Sequence, residues 1–379
     1  MLLFGIGSIL CASATSLNQL ILYRIIQAAG GALMTPIARL ALIRSFDKSQ
    51  WLNVLTFAVT PALLGPLIGP ILGGYLTVLA SWHWIFLINI PIVMIGLWFS
   101  YHYFPNYYGE QKAIDWAGYV LFALFAFLMT LGLDLIGRIN QTIYLLCLLS
   151  GFIFLWFYFI YARKKDNAIF PISLFSVRTF KIGFIGNLCT RIGMSSMPIL
   201  LPLLFQVAFG VSPDIAGWLL APIAAASMLT KFVISKIINY FGYRTVLISN
   251  TILIGLCIAS FALPTTNTLI ILFVPMLFLM GLLNSIQFSS MNTIILADLN
   301  STQSSSGNTL HAINQQLSIS FGLAAGMSLL RLAQNTLPEN NVHTAFRITF
   351  IALGLITAIS SLIFSRLHKT DGENLAHRK

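Results

Sequence analysis

Gly65-Pro66-Leu67-Ile68-Gly69-Pro70-Ile71-Leu72-Gly73-Gly74 is the stretch on which the reading of the fold turns. On a helix, glycines four residues apart at 65, 69 and 73 share one face and form a groove where a second helix can approach closely. Pro66 and Pro70 remove backbone donors and can bend that helix. The ten residues lie inside an apolar segment running from about 52 to 79. About 20 mostly apolar residues suffice to cross the hydrocarbon core of a bilayer.

Working outward, apolar segments recur at about 1–14, 20–43, 84–103, 115–136, 141–162, 180–206, 215–238, 245–263, 268–296, 308–332 and 345–365. With 52–79 they make about twelve transmembrane segments, the first of them short. The chain has 379 residues, 58% apolar and 8% charged, with a mean hydropathy of +0.87. That composition excludes an ordinary soluble enzyme and a disordered chain. The net charge of +11 would suggest nucleic acid in a soluble protein. Here the basic residues sit between apolar runs, the pattern of an integral all-α membrane protein, so no nucleic-acid partner is expected. The bilayer is the expected surrounding.

The distribution of basic residues orients the chain. With Met1 on the cytoplasmic side, sixteen of the 21 Lys and Arg residues fall on inner loops or inner segment ends. Only three, Arg138, Arg331 and Arg347, fall on outer loops, and Arg24 and Arg191 lie within spans. The positive-inside rule then places both termini in the cytoplasm. Trp82 and Trp84 at an outer segment start, and Trp51 at an inner one, suit the membrane interface. The stretch 163–181 is the longest polar interruption and reads as an inner linker. No cleavable signal peptide is expected at Met1. Cys11, Cys147, Cys189 and Cys257 each lie in apolar sequence, with neither metal-ligand spacing nor a disulfide framework.

Several segments carry polar groups on one face. Arg24 and Gln27 are three residues apart, with Gly31 continuing that face. A guanidinium at this depth needs a partner or a water-filled cavity, so Arg24 either bonds backbone carbonyls of a neighbouring helix or works in a transport pathway. Asn187, Arg191 and Ser195 share a face at four-residue spacing. Arg191 reads either as a gate or substrate contact, favouring an anionic group or opposing the burial of another cation, or as a structural donor to carbonyls. Asn284, Gln287 and Met291 share another face, and Asn308, His311, Gln315 and Ser318 a third. Polar stripes of this kind bond helix to helix or line a cavity. Helix bonding is the reading for Asn308 and His311, while both readings stay open for Gln287, Met291 and Gln315. Asp134 has Arg138 four residues on and reads as one half of a local ion pair, with a proton-carrying role as the alternative.

These stretches resemble the major facilitator superfamily, specifically its fourteen-span drug:proton antiporter branch. Arg24-x-x-Gln27 resembles that family's span-four motif. Gly65-Pro66-x-x-Gly69-Pro70-x-x-Gly73-Gly74 resembles its span-five antiporter motif. Trp82 to Pro91 resembles the start of its span six, with His83 where an arginine is usual. Ile114-Asp115-Trp116-Ala117-Gly118 resembles the entry to the branch's extra hairpin, and Phe170 to Phe175 the linker before its second half. Lys236 to Arg244 resembles a degenerate copy of the family's loop motif, with Asn239 in place of its aspartate and Gly242 and Arg244 retained.

Aligned in this way, the first span here corresponds to the family's third. The expected organisation is a partial N-terminal bundle over 1–105, a two-span hairpin over 106–163, a cytoplasmic linker over 164–181, and a six-span C-terminal bundle with its tail over 182–379. The resemblance implies a secondary transporter of the inner membrane that exchanges protons for amphipathic drugs or other small molecules, by rocking of two helical bundles about a midplane site. Gly65, Pro66, Gly69, Pro70, Gly73 and Gly74 would shape a bundle interface. Arg24 and Gln27 would act near the coupling site. Arg191, Asn187, Asn284, Gln287, Met291 and Gln315 would lie along the pathway. Phosphate loops, catalytic triads and metal clusters are absent from the sequence, so neither a cofactor nor an enzymatic activity is expected. The sequence names no periplasmic or outer-membrane efflux partner. The alternative is a truncated, transport-inactive remnant of such a protein, or a reading frame opened at an internal methionine.

Overall fold

The helices follow the apolar segments because, in lipid, each backbone polar group must be satisfied within its own helix. In the computed structural model, residues 1–45, 65, 68–69, 71–103, 115–165, 168–265, 267–337, 341–368 and 370–372 are described. Among them no strand occurs. The helices are α1 (Leu2–Ala12), α2 (Leu17–Ser45), α3 (Trp84–Tyr103), α4 (Trp116–Leu135), α5 (Gln141–Arg163), α6 (Arg178–Leu203), α7 (Pro213–Thr230), α8 (Ile234–Ser260), α9 (Phe273–Ile294), α10 (Ser301–Thr336) and α11 (Val342–Phe364). Helical backbone also covers 71–79. Nine of the described helices, α3 to α11, are long and apolar enough to cross a membrane. With α1 and α2 they match eleven of the twelve apolar segments; most of the first half of the twelfth, 52–79, lies outside the described residues.

One expected span is shorter than its apolar run. The segment 215–238 ends as a helix at Thr230, and α8 begins at Ile234. Turn bonds at Lys231, Phe232 and Val233 make the break, without glycine or proline to announce it. Within α8, Gly242 at φ 76° and ψ 157° interrupts the helix, a left-handed conformation that suits glycine.

The chain packs as two units. The first comprises Met1–Lys112 and Ser212–Ala221. Here α1 crosses α2 at two glycines. A Cβ built on Gly7 would lie 2.5 Å from Gln27 Cα, and one on Gly30 would meet the Phe4 backbone. The start of α7 lies against the end of the glycine-rich segment, where a Cβ on Gly74 would come within 2.6 Å of the Pro213 carbonyl oxygen. Trp218 Nε1 also donates to Tyr75 Oη at 3.2 Å.

The second unit comprises Ala113–Val211 and Pro222–Lys379. Helix α6 packs against α10 and α11, α8 against α11 and α9, and the α4–α5 hairpin against α10. Small residues bring these backbones together: Gly322 and Gly326 of α10 meet α6 at Arg191 and Ser196. At the linker end of the hairpin, Asp115 caps α4 by accepting from Gly118 N at 3.2 Å. The same carboxylate accepts from Tyr161 Oη at 2.5 Å, Lys165 Nζ at 2.8 Å and Ile169 N at 3.4 Å. At the hairpin's other end, Arg331 of α10 donates to the Asp134 carbonyl at 2.5 Å.

The outward surfaces are apolar. Trp98, Phe152, Trp156, Leu256 and Leu362 are all more than half exposed. So large an apolar surface would associate in water and is the surface a bilayer covers.

Candidate transport-pathway residues

In the first unit, the spacing of Arg24 and Gln27 on α2 brings them together. Arg24 donates to Gln27 Oε1 at 2.8 Å, and Gln27 Nε2 donates across to Ser8 Oγ of α1 at 2.7 Å. Gln27 is 3% exposed, whereas Arg24 is exposed, with its guanidinium 5.4 Å from the centre of the Phe86 ring. The partner of Arg24 is thus a side-chain amide on its own helix, rather than a backbone carbonyl. Arg24, Gln27, Phe4, Leu20 and Gly31 line an open groove of about 570 Å³ on this unit.

Of the glycine-proline segment, Pro66 and Pro70 lie outside the described residues. A Cβ on Gly65, Gly69 or Gly73 would meet no described atom within 4 Å, so their shared face is open among the described residues. Gly74 alone is closely covered, by Pro213 and Asp214.

In the second unit, Arg191 sits about 20 Å along α6 from Arg178, near the middle of the helix. It is 9% exposed. Its Nε donates to Asn187 Oδ1 at 2.9 Å, and its guanidinium lies 5.1 Å from the centre of the Phe288 ring of α9. No carboxylate among the described residues pairs with it. Asn187 is buried and its Nδ2 has no partner among the described residues; nor does the buried Oδ1 of the half-buried Asn284, one turn before Phe288. Ser195, the third residue of the α6 stripe, is buried one turn beyond Arg191.

Gln287 occupies a different setting. It is fully buried, accepting from Asn250 Nδ2 at 2.9 Å and donating to Thr251 Oγ1 at 2.9 Å and Met291 Sδ at 3.4 Å. Asn250 of α8 completes this group and also donates to the Leu283 carbonyl at 2.9 Å. A lone amide inside an apolar run is the signal that marks Asn250. Gln315 joins a third cluster, donating to Asn292 Oδ1 at 2.6 Å, with His311 Nε2 2.8 Å from the same oxygen. Asn187 and Arg191 therefore come together, as do Gln287 and Met291, while Gln315 pairs with Asn292 and His311.

The loop-motif copy lies at the start of α8. Gly242 makes the break, Asn239 is partly buried before it, and Arg244 donates to the Ser365 carbonyl at 3.2 Å. Nearby, Arg178 and Asp371 form an ion pair, and Asp371 also accepts from His368 N at 2.8 Å, holding the described part of the tail against the start of α6. Among the described residues, no group of three or more His, Cys, Asp or Glu could hold a metal ion.

Intramembrane polar clusters on packed helices are the material of a transporter rather than of a soluble site. The profile of the Major Facilitator Superfamily matches residues 1–115 and 183–379. The chain belongs to the major facilitator superfamily. It is accordingly a multi-pass transmembrane transporter. The unmatched interval 116–182 holds α4, α5, the connection after them and the first residues of α6. Among relatives, the "Probable transport protein HsrA" of Haemophilus influenzae is 42% identical over 375 residues, spanning 98% of this chain and 81% of the relative. The "Putative multidrug resistance protein MdtD" of Pectobacterium atrosepticum is 39% identical over 372 residues, spanning 97% and 80%. The protein of the same name from Yersinia enterocolitica is 37% identical over 380 residues, spanning 98% and 81%.

Proposed function

We propose that this transporter is a proton-coupled exporter of amphipathic small molecules in the inner membrane, with both termini in the cytoplasm. The observation that carries the reading is the Arg24–Gln27–Ser8 network, which places a charged group of α2 on an open groove. A cation placed there has little structural work to do among the described residues, where its one hydrogen bond goes to a neighbour on its own helix. It is well placed to respond to a proton or to a polar group entering the groove. The MdtD relatives' names, which specify multidrug resistance, point to amphipathic substrates. The bias of basic residues toward one side supports cytoplasmic termini.

In this reading Arg24 and Gln27 act in coupling, Gly65, Pro66, Gly69, Pro70 and Gly73 keep a helix face free for close approach, and Gly74 is where such an approach is already made. Arg191, Asn187, Asn284, Gln287, Met291 and Gln315 belong to the pathway, with Gln287 holding helices together until one of its bonds is released. The test is substrate-stimulated proton movement in vesicles containing the full chain. The expected result is a flux that appears with an amphipathic substrate and is lost in Arg24→Ala. A flux unchanged by Arg24→Ala removes the coupling role of Arg24, and absence of any flux removes the exporter reading.

A further inference from the structure

We propose that Arg191, Asn187 and Phe288 bind the oxyanionic group of an organic anion, a carboxylate or sulfonate, so that the exported molecules include amphipathic anions. The inference rests on the exporter reading above and specifies one of its substrate classes. Its basis is an imbalance of charge. Arg191 is 9% exposed in the middle of a membrane-spanning helix, and its only hydrogen bond among the described residues, from Nε, goes to a neutral amide. Its terminal nitrogens make no hydrogen bond to any described residue. A guanidinium presents five N–H donors in a planar fork that matches two oxygens of a carboxylate.

Asn187, 1% exposed, adds an unpartnered donor at Nδ2, and its Oδ1 fixes the guanidinium by accepting from Nε. Lysine or arginine buried in a membrane ordinarily finds a carboxylate or a carbonyl. Here Phe288 supplies only a ring face. A ring face holds a cation without neutralising it. Phe288 is itself 44% exposed, leaving apolar surface beside the donors for the body of a ligand. Donors at one end and an aromatic surface at the other are the complement of an amphipathic anion. The same chemistry would suit the phosphate of an anionic lipid, and the test separates the two.

Binding is measured on the full chain in phosphatidylcholine nanodiscs with three probes sharing one fluorophore: 1-pyrenebutyrate, 1-pyrenebutanol and a pyrenebutyl trimethylammonium. Protein-free nanodiscs give the background. The butyrate is expected to bind about tenfold more tightly than the alcohol, with that preference gone in Arg191→Gln. In Asn187→Asp the new carboxylate stands where it can pair with Arg191. That variant is expected to melt higher than the wild type and to lose butyrate binding, which keeps the test decisive if Arg191→Gln does not fold. Equal affinities for all three probes, or a preference for the cation, overturn the inference. So does butyrate binding that survives Asn187→Asp. A phosphatidylglycerol-induced rise in melting temperature that exceeds the butyrate effect and vanishes in Arg191→Gln assigns the site to lipid and overturns it as a substrate site. Proton flux driven by the alcohol probe, without preferential butyrate binding, would sink this inference while leaving the exporter reading intact.

Discussion

Gly255 and Gly354 face each other where α8 crosses α11, so closely that a Cβ built on either would lie 2.5 Å from the other's carbonyl oxygen. Neither contact can be relieved by turning a side chain, because backbone stands on both sides; Ala259 and Ala358 close the same crossing. Gly354→Val is therefore expected to destabilise the second unit by about 1–3 kcal/mol, read as a lower melting temperature in detergent. Gly69→Ala, whose Cβ meets no described atom within 4 Å, is expected to leave melting unchanged. Equal losses in the two variants would contradict this account of close packing.

Asp115 gathers four donors just outside the start of α4. Burial alone would raise its pKa, but the bonds from Lys165, Tyr161 and the Gly118 and Ile169 N–H groups outweigh that and hold it at about 2, below the ordinary 3.8. The bond to Asp115, and then that to Tyr161, push the Lys165 ammonium upward. A depressed carboxylate contributes stability above its unfolded pKa and loses it as pH falls through the folded value. A raised ammonium contributes below its ordinary 10.5 and loses it above. The contribution of this cluster to stability is thus level between about pH 5 and 9 and is lost as pH drops from about 4 towards 2, so the melting temperature is expected to fall less steeply over that acid range in Asp115→Asn. An acid slope identical in wild type and variant would remove Asp115 from the explanation.

How far this arrangement was legible in the sequence depended on the distance over which each contact acts. The pairs Arg24–Gln27 and Asn187–Arg191 were readable because three- and four-residue spacings put side chains on one helix face. Ser8 and Phe288, which complete those sites from other helices, left no local mark. Asp115 and Lys165 are likewise joined only by tertiary folding. The apolar runs announced nearly every helix, since a bilayer imposes length and hydropathy together. They did not reveal the turn at 231–233, made by Lys231, Phe232 and Val233 without the usual turn residues. Arg331 read as an outer-loop cation by charge counting, yet it is largely buried against the hairpin.

Arg331 and Arg138 both approach the Asp134 carboxylate at 3.3 Å, in different surroundings. The Arg138 side chain is 53% exposed and that of Arg331 15%. An exposed i,i+4 pair contributes about 0–1 kcal/mol, so Arg138→Gln is expected to change little. Arg331 also donates to the Asp134 carbonyl at 2.5 Å and to Ser328 Oγ at 3.0 Å, and Asn335 Nδ2 donates to the Gly137 carbonyl at 2.9 Å. Arg331→Gln should cost about 1.5–3 kcal/mol, as for hydrogen bonds from a charged group, and should speed amide exchange over residues 133–138. Faster exchange in Arg138→Gln than in Arg331→Gln would reverse the assignment.

Gln287 and Asn250 make a buried hydrogen-bonded pair between α9 and α8, and their substitution separates packing from transport. Gln287→Leu keeps the volume roughly constant but takes an acceptor from Asn250 and a donor from Thr251, both buried. Leaving such groups unpaired costs about 1–3 kcal/mol each. Replacing Asn250 as well removes the stranded amide and its share of the penalty, while Thr251 Oγ1 still lacks its donor. The double variant Asn250→Leu/Gln287→Leu is accordingly expected to melt above Gln287→Leu alone. If the double variant recovers stability but not substrate-stimulated proton flux, the pair serves transport as well as packing. If it recovers both, the pair holds α8 to α9 and nothing more. If it melts below both single variants, the hydrogen-bond account of this contact is wrong.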